Sequence, residues 1–423
     1  MNLESLLHAA APADLLPFRR VDEAARVMQP WVILCDIDLG ETRSGHAARF
    51  LLLQDARGVR FGVPAVFSES AVRRAVPGDG VSEALVAALS RGSIDGLEFE
   101  AFAKLDAPAG EHGIAVDQTN ELVVIGDDIV VKWILHPDDL QPAPSRMAAL
   151  ARAGFTGAPL LRGLVRASGS VVAMVVDYVP GTLDGWEWAV DDVRSFARGQ
   201  VDLLAALAPV HDVAHMIAGM HVALAAAGRA AATLADAEAW AAAAAADIDD
   251  APISAALAAR AHELVGSIAS SAGTPVIATH GDLHIGQVLR SGSSGYYVID
   301  FDGNPVLSPP DRMLLQPVAR DVAGMLASLD HVGRVVLHRT DDLDDTEQGR
   351  VLDWIDRAQA EFLAEYRRTL EAAGSLELLD DRLIVPFQVQ QECREYAYAT
   401  RYLPHWLFVP DAALPALIDR ESS

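Results

Sequence analysis

Around Gly181 the chain changes texture, and this change limits the possible fold more than any other feature of the sequence. Before it, short β-rich runs are broken by turn signals; after it come long Ala-rich stretches such as VDLLAALAPVHDVAHMIAGMHVALAAAG and LADAEAWAAAAAADIDDAPISAALAARAHELVGSIA, whose apolar residues recur with helical period. One β-rich island, PVIATHGDLHIGQVLRSGSSGYYVIDFD from Pro275 to Asp302, interrupts the helices. A β-rich front, a helical back and a hairpin of loops embedded in the helices describe a two-lobed α+β chain. The 423 residues, 51% of them hydrophobic, exclude a single small domain and global disorder.

Within the front, residues 30–68 give the runs WVILCDI, RFLLLQ and RFGVPAVF, expected as an antiparallel meander. VSEALVAALSRG, from Val81, is expected as a short helix. LEFEAFA, ELVVIG, DIVVKWIL and VVAMVVDYV follow as strands, with a helix at SRMAALARAG. The Ala run at 241–246 reads as solvated helix, not as a linker.

Lys and Arg number 33 against 59 Asp and Glu, a net charge of −26 that repels phosphate backbones and anionic headgroups. Nucleic acid and membranes are therefore poor partners, whereas a cationic small molecule is tolerated. Two cysteines, Cys35 and Cys393, support neither a disulfide framework nor a cysteine zinc site. Glu4 stands where a signal peptide carries positive charge, and a cytoplasmic location is expected. The longest uncharged stretch, 213–228, is short for a bilayer span and reads as a buried helix.

The island carries the chemistry. In HGDLHIGQVL, Asp282 follows His280 by two residues and Gln287 follows Asp282 by five; the strand YYVIDFD then ends in Asp300. Phosphoryl transfer from ATP needs one carboxylate to receive or orient the acceptor hydroxyl, and hard oxygen ligands for the magnesium that bridges the phosphates. Asp282 fits the first role; Gln287 and Asp300 fit the second, and Asp302 either joins the metal shell or only ends the strand. Lys132, in the apolar run DIVVKWIL, is expected either to meet the ATP α- and β-phosphates or to point outward from an edge strand. The preceding hairpin VDQTNELVVIGDD offers Gln118, Thr119 and Asn120 over the phosphates in place of a GxGxxG loop. VVAMVVDYVPG runs into Asp177, Tyr178 and Val179, where backbone groups can pair with an adenine edge.

HGDLHIGQVL, YYVIDFDGNP, RDVAGMLASLDH with Asp321, and GTLDGWEWAV together resemble the maltokinase-like branch of the aminoglycoside-phosphotransferase and eukaryotic-like kinase fold. The resemblance covers nearly the whole chain. It implies a protein-kinase-like fold with an N-terminal β-rich cap over 1–95, a nucleotide-binding part over 96–180 and a helical lobe over 181–423. It also implies a cytoplasmic sugar kinase using ATP and Mg2+, with Asp282 as catalytic base and Gln287 in place of the asparagine more common in the fold. One departure is that the helix PSRMAALARAG has no glutamate to pair with Lys132; Ser145 stands near the expected place, and Asp138 and Asp139 are the substitutes at hand.

At 100° per residue, the C-terminal segment FQVQQECREYAYATRYLPHW sets Gln388, Gln391, Glu392, Glu395, Tyr398, Ala399 and Tyr402 on one helix face. Amides, carboxylates and phenols in one stripe, followed by Trp406 as a stacking surface, suit a carbohydrate. The segment resembles the substrate-binding motif of actinobacterial glucosamine kinases; maltokinases end a related sequence in RPxW where this chain has LPHW. A protonated 2-amino group needs an acceptor-only partner, for which Glu392 and Glu395 both qualify.

His280 is placed on the substrate side of the loop, holding it by hydrogen bonds instead of acting as the base, and His284 can do the same. His211, His215 and His221 are expected as hydrogen-bonded histidines, not metal ligands. The reading is phosphorylation of D-glucosamine at its 6-hydroxyl, with maltose, another sugar or an aminoglycoside as alternative acceptors. From a different class, a nucleotide-binding pseudokinase is the alternative. A protein kinase is disfavoured because no long segment with an APE-like end follows Asp300. The partner is a small-molecule sugar, and the oligomeric state is not readable from the sequence.

Overall fold

The computed structural model describes residues 3–16, 26–68, 71–114, 121–137, 140–292 and 295–421. The chain forms two compact units, one of Met1–Arg152 with Pro159–Pro180 and one of Ala153–Ala158 with Gly181–Ser423.

The first unit opens with two short helices, α1 (Leu3–Ala9) and α2 (Pro12–Leu15). The strands β1 (Val32–Glu41), β2 (Ala47–Gln54), β3 (Arg60–Phe67) and β4 (Val72–Arg74) follow as an antiparallel sheet in chain order, the meander expected from the sequence. Next come α3 (Val81–Arg91), β5 (Glu98–Ala101), β6 (Glu111–Gly113), β7 (Glu121–Ile125), β8 (Ile129–Trp133), α4 (Pro142–Arg152), β9 (Leu161–Ala167) and β10 (Ser170–Asp177). The six strands β5 to β10 make a second antiparallel sheet in the order β5-β9-β10-β8-β7-β6.

β2 reads as an unbroken apolar run because both of its faces are buried. Phe50 and Leu52 join Leu85 of α3 and Val131, Trp133 and Val175 of the second sheet in one core. Leu51 and Leu53 join Leu7, Leu15 and Phe61 in another. Phe50 stacks on Trp133 at 5.8 Å, and the Trp133 indole donates to Ser82 Oγ at 2.9 Å. β9 escapes the sequence pattern because Arg162 and Arg166 break its apolar run; they pair with Asp177 and Glu100.

β7 and β8 are joined by a tight turn over residues 126–128, closed by the Asp128 amide on the Ile125 carbonyl, in which Gly126 and Asp127 both have positive φ, at 60° and 53°. The register sets Lys132 opposite Leu122 on one side and Met174 on the other. Lys132 therefore lies on an interior strand, which removes the edge-strand alternative. Val131 and Trp133 face the core, so the half-buried Lys132 faces the other side of the sheet.

The second unit runs through β11 (Thr182–Leu183), α5 (Gly185–Ala197), α6 (Leu203–Ala227), β12 (Arg229–Ala231), α7 (Leu234–Asp250), α8 (Ala255–Val265) and β13 (Pro275–Ile277). It continues with β14 (Val288–Ser291), β15 (Gly295–Val298), α9 (Pro309–Arg312), α10 (Ala319–Arg339), α11 (Asp345–Ala372), α12 (Ile384–Tyr402) and α13 (Phe408–Arg420). The helices begin on acceptors that meet their first free amides: Asp184 for α5, Asp202 for α6, and a Thr233–Asp236 capping box for α7. The Ala run lies in α7, which turns Ala237, Trp240, Ala244 and Ile248 inward at helical spacing. Among the described residues α6 is the one helix long and apolar enough to cross a membrane. Its Val210, Val213, Ile217, Met220 and Leu224 are buried within the unit, as in a core helix. Both cysteines are free thiols.

The β-rich island forms β13, an irregular loop, and the β14–β15 hairpin, to which β11 adds an edge. Two helices touch the loop at glycines. A Cβ on Gly185 of α5 would lie 1.6 Å from the Ile285 carbonyl oxygen, and one on Gly324 of α10 would lie 2.4 Å from that of Leu283. Backbone-to-backbone packing of this kind fixes the loop from both sides. Gly324→Ala must push the loop or the helix aside, at about 1–3 kcal/mol for overpacking. The urea midpoint should fall accordingly, and an unchanged midpoint would show that the loop yields freely.

Candidate active site

The loop from His280 to Gln287 is built on Asp321, near the start of α10 and 2% exposed. Its carboxylate accepts the His280 amide at 2.7 Å and the Gly281 amide at 2.9 Å. It also accepts His221 Nε2 at 3.0 Å, and the Tyr366 hydroxyl meets His221 Nδ1 at 2.6 Å. Burial pushes the Asp321 carboxyl up, but the His221 hydrogen bond, the electrostatic pull of the neighbouring imidazoles and the Gly281 amide outweigh it and hold the group below its ordinary range.

His280 is fully buried, and both its ring nitrogens are spent on the main chain. Nε2 donates to the Ile299 carbonyl at 2.9 Å, leaving Nδ1 to accept the Asp282 amide at 3.3 Å. It therefore holds the loop to the hairpin and presents nothing to a substrate, which corrects its expected place on the substrate side. His284 Nδ1 accepts the Gly286 amide at 3.1 Å, and burial lowers its pKa to about 4, so it is neutral.

The Gln287 carbonyl accepts the Ile299 amide at 3.0 Å, which brings Gln287 beside the end of β15 and next to Asp300. Asp300 has φ of 61°, a strained conformation for a residue with a side chain. Asp282 has its pKa raised to about 7, first by burial, then by the charge of Asp300, with Glu395 and Asp321 adding and Arg394 opposing. Asp282, Asp300 and Glu395 thus lie within electrostatic reach of one another. Asp302 follows, half-buried.

Among the described residues no group of three or more His, Cys, Asp or Glu side chains is arranged to hold a metal ion. The oxygen donors of Gln287 and Asp300 suit magnesium, which takes one or two carboxylates and completes its shell with phosphate oxygens and water.

α12 divides the polar stripe read from the sequence. Gln388, Glu392 and Ala399 turn inward, while Gln391, Glu395, Tyr398 and Tyr402, at i, i+4, i+7 and i+11, keep exposed surface. Gln391 Nε2 donates to Glu395 Oε1 at 3.2 Å, and Tyr398 lies 5.1 Å from Tyr402. Glu392 is 2% exposed, with its two oxygens 2.9 and 3.1 Å from His331 Nε2. The expectation of a sugar-facing carboxylate at Glu392 is corrected: His331, distant in sequence, takes it. Trp406 is half-buried and packs edge-on against Trp186 at 5.6 Å, and Trp186 lies 6.4 Å from His284.

In the first unit, the Asp177 carboxylate pairs with Arg162, its amide donates to Leu160, and the Tyr178 amide donates to Asp128. The amides of 177 and 178 are therefore spent on the strand's own neighbours, which leaves the carbonyls of these residues and the backbone of Val179 as the groups to consider for an adenine edge. Ser145 Oγ donates to the Pro142 carbonyl within α4. Gln118, Thr119, Asn120, Asp138 and Asp139 lie outside the described residues. His331, Ser328, Trp186 and Arg394 were missed by sequence reasoning. For Ser328 and His331 the available signal was the row of Asp321, Gly324, Ser328 and His331 at helical spacing in α10.

No family model matches the chain. It is 45% identical to a glucosamine kinase of Streptacidiphilus jiangxiensis, over 99% of this chain and 98% of that protein. The chain belongs to the glucosamine kinase family. A glucosamine kinase of Mycolicibacterium smegmatis (strain ATCC 700084 / mc(2)155) is 41% identical over 83% of this chain and 91% of its own. Among solved structures, a glucosamine kinase in complex with glucosamine, ADP and inorganic phosphate matches at TM-score 0.87 and 42% identity, over 99% of each chain. A second glucosamine kinase crystal form matches at TM-score 0.88 and 42% identity, over 99% of this chain and 100% of that one. The two-lobed kinase-like fold expected from the sequence is thereby established.

Asp282 titrates near 7 in the folded protein and near the ordinary 3.8 in the unfolded chain. Between these values the unfolded chain has lost a proton that the folded one keeps, so this group's contribution to stability falls as pH rises from about 4 to about 7. Asp282→Asn, which cannot ionise, should gain on the wild type between low pH and pH 8, by up to a few kcal/mol. Urea midpoints of both proteins near pH 4.5 and pH 8, without nucleotide, test this. An offset that does not change with pH would refute it.

Proposed function

We propose that this protein transfers the γ-phosphoryl group of ATP to the 6-hydroxyl of D-glucosamine. The observation that carries the reading is the full-length similarity to a kinase whose structure holds glucosamine, ADP and inorganic phosphate together. Asp282, raised towards neutrality, is suited to take the proton of the acceptor hydroxyl as that oxygen bonds to phosphorus and the bond to the bridging oxygen of ADP breaks. Lys132 pairs with the α- and β-phosphates. The Asp177 carbonyl and the Val179 backbone meet the adenine edge.

Magnesium, when held by Gln287 and Asp300 together with the nucleotide, would offset the negative charge of the phosphates. Asp302 is a weaker candidate ligand. Glu395, oriented by Gln391, accepts from the 2-ammonium group. Tyr398 and Trp406 offer aromatic surface to the ring. The reaction is assigned to the cytoplasm, where ATP is supplied.

ATP turnover against glucosamine, glucose, maltose and an aminoglycoside tests the activity. Glucosamine should be preferred, and a preference for maltose would replace the reading by maltokinase. Asp282→Asn should abolish turnover with nucleotide binding retained; no turnover with any sugar by wild type would favour the nucleotide-binding module. Glu395→Gln removes a charge-assisted hydrogen bond of about 1.5–3 kcal/mol and should cut kcat/KM for glucosamine about ten- to a hundredfold, with a smaller effect on glucose. An equal loss on both sugars would remove Glu395 from amine recognition.

Asp300→Ala should damage magnesium-dependent turnover more than Gln287→Ala, because it removes charge as well as an oxygen. Magnesium titrations of activity in the two variants check the order. Wild-type metal dependence in both would place the metal elsewhere.

A further inference from the structure

α10 presents a row of residues at i, i+3, i+7 and i+10, which lie on one helix face. Asp321 accepts the amides of His280 and Gly281, Gly324 packs on the Leu283 carbonyl, and Ser328 Oγ accepts the Ile285 amide at 3.0 Å. The row meets the loop in chain order. Its fourth member, His331, turns to another element and binds Glu392 of α12 through both carboxylate oxygens, at 2.9 and 3.1 Å. His331 is 5% exposed and Glu392 2%.

A buried ion pair is a poor device for stability alone, since apolar residues of similar volume hold two helices together as well or better. This one sits where the helix that carries the loop meets the helix that carries Gln391 and Glu395. We propose that His331 is a positioning residue for the acceptor sugar: clamped on Glu392, it fixes α12 against α10 and so sets the place of Gln391 and Glu395 relative to Asp282. The inference rests on the activity proposed above.

The surroundings favour charge on His331. Glu395 on α12 and Asp330 on α10 add negative charge, Asp330 being itself bonded to Arg334 at 3.0 Å; from the loop, the neutral His284 faces His331, and Asp282 lies within electrostatic reach of Glu395. Burial works against charge on both partners: on His331 it is outweighed by Glu392, aided by Glu395 and Asp330, which raise the imidazole to about 9, whereas on Glu392 it prevails over the pull of His331 and shifts the carboxyl up. The contact itself is geometric: the Nε2 proton lies between the two carboxylate oxygens.

His331→Gln and Glu392→Gln should each raise acceptor KM about tenfold, with ATP KM within about twofold of wild type and kcat within about threefold. The double variant His331→Gln/Glu392→Gln puts a neutral hydrogen bond between the same helices and should return acceptor KM to within about threefold of wild type. Glu392→Asp keeps both charges while shortening the reach by one methylene; it tests the clamp even where the single amide variants fail to fold, and should raise acceptor KM about three- to tenfold with ATP KM unchanged. A fall in Tm with acceptor KM unchanged overturns the proposal, as does a double variant no better than the singles. Wild type that ignores glucosamine overturns the activity reading instead, and the same comparison is then made with the sugar it does phosphorylate.

Discussion

The second unit depends on one buried carboxylate. Asp321 sits in the apolar interior of α10, where an ion survives only if its lone pairs are met, and the loop amides and the His221 ring meet them. Two consecutive amides reach one carboxylate because Gly281 adopts φ of 84°, which folds the chain into a small anion-binding nest. From that anchorage follow the direction in which Asp282 leaves the loop and the landing of Ile285 on Ser328. The hydrogen bond from His280 to Ile299 then ties the loop to the hairpin that ends in Asp300. Behind Asp321, His221 from α6 and Tyr366 from α11 make the anchor a junction of three helices.

The same residue type is driven in opposite directions on the two sides of this contact. Asp321, surrounded by donors, is pushed below the ordinary carboxylate range; Asp282, partly buried beside other carboxylates, is raised to about 7. Environment alone separates a structural anion from a group poised to exchange a proton near neutrality. Asp300 adds backbone strain at the same place. Tension of this kind, in charge and in φ, is what a fold tolerates at a working site and removes elsewhere.

What could be read from the sequence follows from how local each signal is. Asp282, Gln287 and Asp300 form a linear pattern because one loop and one hairpin carry them all, and the meander of β1 to β4 declares itself through turns and apolar runs. Lys132 was legible as a lysine in an apolar strand, but its interior position needed the pairing of β8 with both β7 and β10. β9 was hidden by arginines whose acidic partners lie on other strands. Helical periodicity gave the polar stripe of α12 correctly as a stripe, yet a stripe includes residues more than one neighbour can claim. Which of them faced inward depended on His331, and no spacing within α12 encodes a residue on another helix.

The two glutamates of that stripe show how such a choice is made physically. Glu392 and Glu395 are one helical turn apart and chemically identical, so either could face an ammonium group as far as residue type goes. Glu392 has both oxygens against a buried imidazolium, and withdrawing it to serve a ligand would leave that cation unpaired at a cost of about 3–5 kcal/mol. Glu395 gives one oxygen to the neutral amide of Gln391, a bond that an incoming ammonium group can replace at small cost because the new bond is charge-assisted and the old one is not. For the proposed reaction, this difference favours Glu395, whose resting partner is easily exchanged, as the group that meets the ammonium, with Glu392 kept to its pairing with His331.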